Sequence, residues 1–389
     1  MKKILTFLLL FLLAPLFVFA SEFDITGEYV VLYNLNDDEI LYEQNSNEQT
    51  SIASITKIMT ALVAMDNISD YDSIITITTA DFEGTAGYSK AGFSVGDRVT
   101  YRDLLYGILL PSGADAVNAI VRNTLGYDNF IIAMNELAKK IGLENTSFSN
   151  PVGKDDVNNY STASDVAKML KYALENPLFK EIFTTKEYTT TNGINLESTL
   201  YPYQDILDID KIAGSKSGFT RGAGRCLASI TNLDGVNYLL VILNSSVDQN
   251  YSAVLDTITI YDYYNDNFSC QDILTEGQLI TTIPVKWGKD KTYEITSPIS
   301  VSKFLENSAS SNLTYEYNGL EEIPQYTKKD TKLGTISVYN DGKLLYETTV
   351  TLTEDISYYH PVLWLISGFV ILVVLILLLK KRKRRRKRK

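Results

Sequence analysis

The sequence predicts an α+β domain, then a small all-β domain, then a C-terminal apolar helix. Three observations carry this expectation. Within residues 21–266, strand-like alternation stands at both ends and helical periodicity fills the middle. From Gln278 to Glu354 only short alternating strands occur. Finally, Val362 to Leu379 is an uncharged, almost wholly apolar stretch, about 27 Å long as a helix and close to the ~30 Å hydrocarbon core of a bilayer.

In chain order, residues 1–20 read as a secretory signal peptide: Met1-Lys2-Lys3, an apolar run from Ile4, and Val18-Phe19-Ala20 as the cleavage site. Residues 28–34 and 39–43 alternate around Asn36-Asp37-Asp38 as a hairpin. A buried helix opens near Ser54, because Ile55, Ile58, Met59, Leu62 and Val63 repeat at helical spacing. Thr100-x-x-Asp103 is a capping box for a helix ending at Leu110, and a new helix starts after Pro111-Ser112-Gly113. Helices follow at Ile131–Ile141 and Ser164–Leu174, the second capped by Thr162. Strands return at Cys226–Ile230 and Tyr238–Leu243, before a helix over Val254–Tyr264. A chain of this order can join its first and last strands in one antiparallel sheet covered by helices. Residues 267–356 form the all-β domain, with a hairpin closed by Asn340-Asp341-Gly342. It has no cluster of nucleophile, base or metal ligand, and reads as a spacer or docking module.

Composition excludes several functions. The net charge is -11, and -23 without Lys2, Lys3 and the ten consecutive cations Lys380–Lys389. So acidic a body argues against a nucleic-acid partner, and the basic run directly after an apolar span reads as a cytoplasmic stop-transfer tail. The expected placement is a single-pass protein of the cell membrane (helix 361–380, tail 380–389) with the rest outside. The single histidine, His360, adjoins that helix, which leaves no Ser-His-Asp triad and no histidine zinc site. Two cysteines, Cys226 and Cys270, make no disulfide framework; one bridge and two buried thiols both remain open.

The chemistry concentrates in three stretches. Ser54 and Lys57 are three residues apart, so on a helix they share a face, and a desolvated lysine can take a serine's proton. Ser112 places a hydroxyl at a helix break. Gly214-Ser215-Lys216-Ser217-Gly218-Phe219-Thr220 sets a lysine and hydroxyls on a strand whose glycine lets a substrate backbone approach.

In this order the stretches resemble the S-x-x-K, S-x-N and K-[ST]-G motifs of penicillin-binding proteins and serine β-lactamases. The match is closer to the low-molecular-mass D-alanyl-D-alanine carboxypeptidases. Ser51 through Thr60, Lys216-Ser217-Gly218-Phe219-Thr220 with Ala223-Gly224-x-Cys226, Gly96-Asp97, and Ser161-Thr162-Ala163-x-Asp165 fit that family's pattern, over residues 25–355. The resemblance implies a penicillin-binding/β-lactamase-like transpeptidase fold, an α+β sheet-and-helix domain with a helical subdomain. It implies that Ser54 attacks the penultimate D-alanine carbonyl of a peptidoglycan stem peptide, with Lys57 as base and Ser112 relaying a proton to the leaving D-alanine. Lys216, Ser217, Gly218 and Thr220 would hold the substrate and its terminal carboxylate. The backbone N–H groups of Ser54 and Phe219 would form the oxyanion hole, β-lactams would be covalent inhibitors, and no metal or organic cofactor is needed.

Two positions depart from the pattern. Ala114 stands where the S-x-N motif ends in asparagine, and Asn118, one turn on, is the candidate replacement. Phe219 stands where histidine or tyrosine is usual, a milder change because its implied role uses only the backbone. A β-lactamase would need a deacylating glutamate in an E-x-x-L-N setting, which the chain lacks. The reading from another class, a silent peptidoglycan or β-lactam binder, rests on Ala114 alone.

Overall fold

The computed structural model describes residues 23–358 and 361–386. The expected signal peptide, His360 and the last three tail residues lie outside them. The chain divides into two compact units between Asp266 and Asn267.

The first unit opens with the hairpin β1 (Tyr29–Asn34) and β2 (Glu39–Gln44), then a 3₁₀ turn at Ala53–Thr56 that runs into α1 (Lys57–Asp66). A short pair, β3 (Ile74–Thr76) and β4 (Arg98–Thr100), precedes α2 (Tyr101–Leu109) and α3 (Ala114–Asn123). Helices α4 (Tyr127–Lys140), α5 (Ala163–Leu174) and α6 (Pro177–Thr184) lead to a second short pair, β5 (Glu187–Thr189) and β6 (Asn195–Glu197). The unit closes with β7 (Gly214–Thr220), β8 (Gly224–Leu233), β9 (Val236–Ser245) and α7 (Ser252–Asn267).

The expected closure of first strands on last strands occurs. One antiparallel sheet runs β2-β1-β9-β8-β7, with Leu32 opposite Leu240 where β1 joins β9. Tyr238 to Leu243 is an unbroken buried run, as in a sheet covered on both faces. The Tyr261 hydroxyl of α7 meets Ser229 of β8 at 2.9 Å on one face, and α5 packs against β1 and β9. Helix α1 is apolar nearly all round and buried from Lys57 to Met65, so it is the axis on which α2, α3, α4 and α5 pack.

The caps form where the sequence places them. Thr100 Oγ1 accepts from the Asp103 amide at 3.1 Å while Asp103 accepts from the Thr100 amide at 2.9 Å. Thr162 Oγ1 accepts from the Asp165 amide at 3.0 Å. Helix α6 and the two short strand pairs were not foreseen, although Asn176 before Pro177 is a start signal: its side chain accepts from the Leu178 and Phe179 amides.

The second unit is β-rich. β10 (Phe268–Leu274) pairs with the later β13 (Val301–Glu306), β11 (Leu279–Pro284) with β12 (Thr292–Thr296), and β14 (Leu313–Gly319), β15 (Lys332–Asn340) and β16 (Lys343–Thr351) form one sheet. Ile273, Ile283, Ile295, Ile323, Ile336, Val338 and Val350 fill its core. Asp341 and Gly342, both at positive φ, close the β15–β16 hairpin as the Asp-Gly pair requires. Helix α8 (Pro361–Arg386) is long and apolar enough to cross a membrane.

Candidate active site

The helix expected to open near Ser54 opens there as a 3₁₀ turn. Ser54 lies on that turn, and the regular helix begins only at Lys57. The i,i+3 relation survives: Lys57 Nζ donates to Ser54 Oγ at 2.8 Å. The same Nζ donates to the Val152 carbonyl at 2.7 Å, and Lys57 is 1% exposed. Val152 is aimed by a tight turn in which Asn150 Oδ1 accepts from the Gly153 and Lys154 amides, both at 2.8 Å. Gly153 has φ +84, and a Cβ there would lie 2.0 Å from the Ala53 carbonyl oxygen. The turn therefore presses on the nucleophile's own backbone, and Ala53 itself holds a left-handed φ of +47.

Strand β7 presses from the other side. A Cβ on Gly218 would sit 3.0 Å from the Ser54 nitrogen and the Ile52 oxygen. Glycine here lets strand and turn touch, so the Ser54 amide and the Gly218-Phe219 backbone border one place. Ser112 lies between α2 and α3 at φ +65, and the next residue, Gly113, is packed against Ala91, where a Cβ would come within 2.7 Å of the backbone nitrogen. The Ser112 Oγ is buried and has no hydrogen-bond partner among the described residues.

Both lysines are held away from ordinary lysine chemistry. Burial pushes Lys57 down to about 7, against Asp115, whose charge favours the ammonium. Lys216, fully buried, is lowered well below the usual value by burial first and by the charge of Lys57 second. Its Nζ donates to the Ser217 carbonyl at 2.9 Å. Repulsion between the ammoniums thus acts, but desolvation is the larger cause. Ser54, Ser112, Ser217, Gly218 and Phe219 line one cleft of about 390 Å³.

Residues 17–247 match the sequence family described as D-alanyl-D-alanine carboxypeptidase, and residues 268–358 match the C-terminal domain of penicillin-binding protein 5. The chain belongs to the D-alanyl-D-alanine carboxypeptidase family. It is therefore a serine-type carboxypeptidase of the S11 peptidases. A Bacillus subtilis relative, D-alanyl-D-alanine carboxypeptidase DacF, is 28% identical over 86% of this chain and 87% of its own length. A D-alanyl-D-alanine endopeptidase of Escherichia coli is 30% identical over 58% of this chain and 74% of its own. The crystal structure of penicillin-binding protein 5 from Haemophilus influenzae superposes with a TM-score of 0.63 at 22% identity, over 87% of this chain and 99% of that one, which supports the fold.

Two side chains of this carboxypeptidase are engaged otherwise than the sequence suggests. Asn118 does not stand in for the missing amide: it donates to the Asp81 and Glu83 carbonyls at 3.1 and 3.0 Å, on the side of α3 facing that segment. The Thr220 hydroxyl is engaged by the protein, donating to Asp155 at 2.6 Å and accepting from the Ala223 amide. Ser217 Oγ remains at the cleft, 2.6 Å from the Thr199 hydroxyl. Both cysteines are free; Cys226 is buried beside the cleft, whereas Cys270 is exposed.

Sequence reasoning passed over Arg225, the unspecified residue in Ala223-Gly224-x-Cys226. Its side chain lines the cleft with the guanidinium 4.4 Å from the Phe219 ring centre, donates to Asn250 at 2.5 Å, and leaves a buried Nε without a partner among the described residues. The signal available was position: Arg225 lies opposite Phe219 in the β7–β8 register. Asn150-Pro151-x-Gly153 was also missed, though Asn-Pro with a following glycine is a turn signature.

Proposed function

We propose that the chain removes the terminal D-alanine from peptidoglycan stem peptides ending in D-Ala-D-Ala, through an acyl-enzyme on Ser54. The observation that carries this is the 2.8 Å contact of Ser54 Oγ with a buried lysine whose pKa is about 7. Once Nζ is neutral, the bond reverses: Ser54 donates, and Lys57 accepts its proton as Oγ attacks the carbonyl carbon. The oxyanion that forms faces the Ser54 and Phe219 amides, where losing one such donor costs roughly 10²–10³ in rate in other enzymes. Ser112, whose hydroxyl has no partner among the described residues, passes a proton to the departing amine. D-Alanine leaves, and water hydrolyses the ester.

The leaving residue carries a carboxylate. With Lys216 buried and lowered in pKa, and Thr220 tied to Asp155, the cation best placed to receive it is Arg225, assisted by Ser217. β-Lactams, which present a carboxylate and a strained amide, acylate the same serine and make the chain a penicillin-binding protein. Residues 361–380 anchor it in the cell membrane as a single span with the basic tail inside, residues 1–20 export it, and its role is cell-wall maturation outside. Ala114 weakens contact with Lys57 and the substrate amide but removes neither nucleophile nor base, so it argues for altered rate rather than silence.

The test is mass spectrometry of a synthetic stem pentapeptide incubated with the purified protein. Release of one D-alanine supports the reading, whereas an intact peptide alongside penicillin binding supports the silent binder.

A further inference from the structure

We infer that the tip of the β-rich unit around Trp287 is seated in the lipid headgroup layer, so the unit rests on the membrane instead of swinging on a tether. The inference rests on the reading of α8 as a membrane span.

The turn between β11 and β12 exposes Trp287, 53% accessible, flanked by Lys286 and Lys289. Tyr326, 61% exposed, belongs to the neighbouring loop, and its ring lies 5.7 Å from that of Tyr358. The three segments are fastened together. Gly288 bridges Tyr358, Lys289 N donates to the Ser357 carbonyl at 2.8 Å, Lys286 N to the Ile323 carbonyl at 3.0 Å, and Tyr358 OH to the Pro324 carbonyl at 3.3 Å. Trp287 and Tyr326 both hold left-handed backbone conformations, φ +57 and +70, which bulky aromatic residues avoid. The chain thus accepts strain to present two aromatic rings at one tip.

Position identifies the occupant. Tyr358 is three residues before Pro361, so the start of α8 lies within about 11 Å of it however the intervening chain is arranged. The apolar run begins at Val362. If that run fills the hydrocarbon core, the tip reaches the headgroup layer, where tryptophan, tyrosine and lysine are the favoured side chains. Asp290 and Glu322 share these loops, so the aromatic contact rather than net charge carries the proposal.

The chain has two tryptophans, Trp287 and Trp364, which makes the test clean. Full-length protein is reconstituted into vesicles of mixed zwitterionic and anionic phospholipid containing lipids brominated either near the headgroup or near the chain terminus. In Trp364→Phe, the remaining Trp287 emission should be quenched at least twofold more by the shallow bromines than by the deep ones. In Trp287→Phe, Trp364 reports the anchor itself. Quenched Trp364 with unquenched Trp287 overturns the seating and leaves the anchor standing. Quenching of neither overturns both.

Discussion

Two sets of buried charge in the first unit are treated in opposite ways. Asp103 accepts from the Thr100 and Thr191 amides and from the hydroxyls of Thr191 and Tyr188. Against burial, which pushes its pKa up, these bonds hold it below the usual carboxylate range. Asp256 is likewise saturated by Thr26, Gly27 and Ser245 and ties the segment just before β1 to α7. Such charges are finished structures. At the cleft the lysines are left short: Lys216 holds one backbone carbonyl, Lys57 one carbonyl and the Ser54 hydroxyl. A buried ammonium so poorly served loses its proton readily, which is what a base requires. In the β-rich unit, Ser297 and Ser337 are the buried polar side chains among the described residues.

The contrast predicts where substitutions act. Lys57→Met keeps the volume and removes the base, so acylation by a β-lactam should fall by about 10²–10⁴ with the fold intact. Stopped-flow kinetics alongside a circular dichroism melt would show this; an unchanged rate would assign the base elsewhere.

Arg225→Ala should be next in size. A charged hydrogen bond contributes about 1.5–3 kcal/mol, so kcat/KM for a carboxylate-ended peptide should drop roughly tenfold to a hundredfold, mostly through KM. The C-terminally amidated peptide should be turned over equally by wild type and variant. Equal losses on both substrates would make Arg225 a packing residue.

The smallest effect concerns pH. Lys57 must be neutral, so activity should rise as pH passes through about 7. Asp115 favours the ammonium, and its Oδ1 accepts from the Ala91 amide at 2.8 Å, a bond asparagine can keep. Asp115→Asn should therefore move the acid limb of the pH–rate profile to lower pH. A limb that stays or moves upward would remove Asp115 from the electrostatics of the base.

What was legible in the sequence follows from the range of each interaction. Ser54 and Lys57 are separated by one turn, so their contact could be read directly. Thr100 and Thr162 announce their helices because capping is equally local. The carbonyl that holds Lys57 comes from Val152, 95 residues away, and only the fold brings it there. Asn118 misled because its spacing from Ala114 on α3 is right, while the partners on that side, Asp81 and Glu83, lie in a distant stretch of chain. Thr220, which the resemblance assigns to the substrate carboxylate, gives its hydroxyl to Asp155, a residue likewise distant in sequence.

The central claim is that Ser54 is the nucleophile of a working acylation site. Intact-mass measurement of the purified full-length protein after exposure to penicillin tests it most directly. One covalent adduct on the wild type and none on Ser54→Ala is the predicted result. An adduct that persists in Ser54→Ala, or a wild type that acquires none, would contradict it.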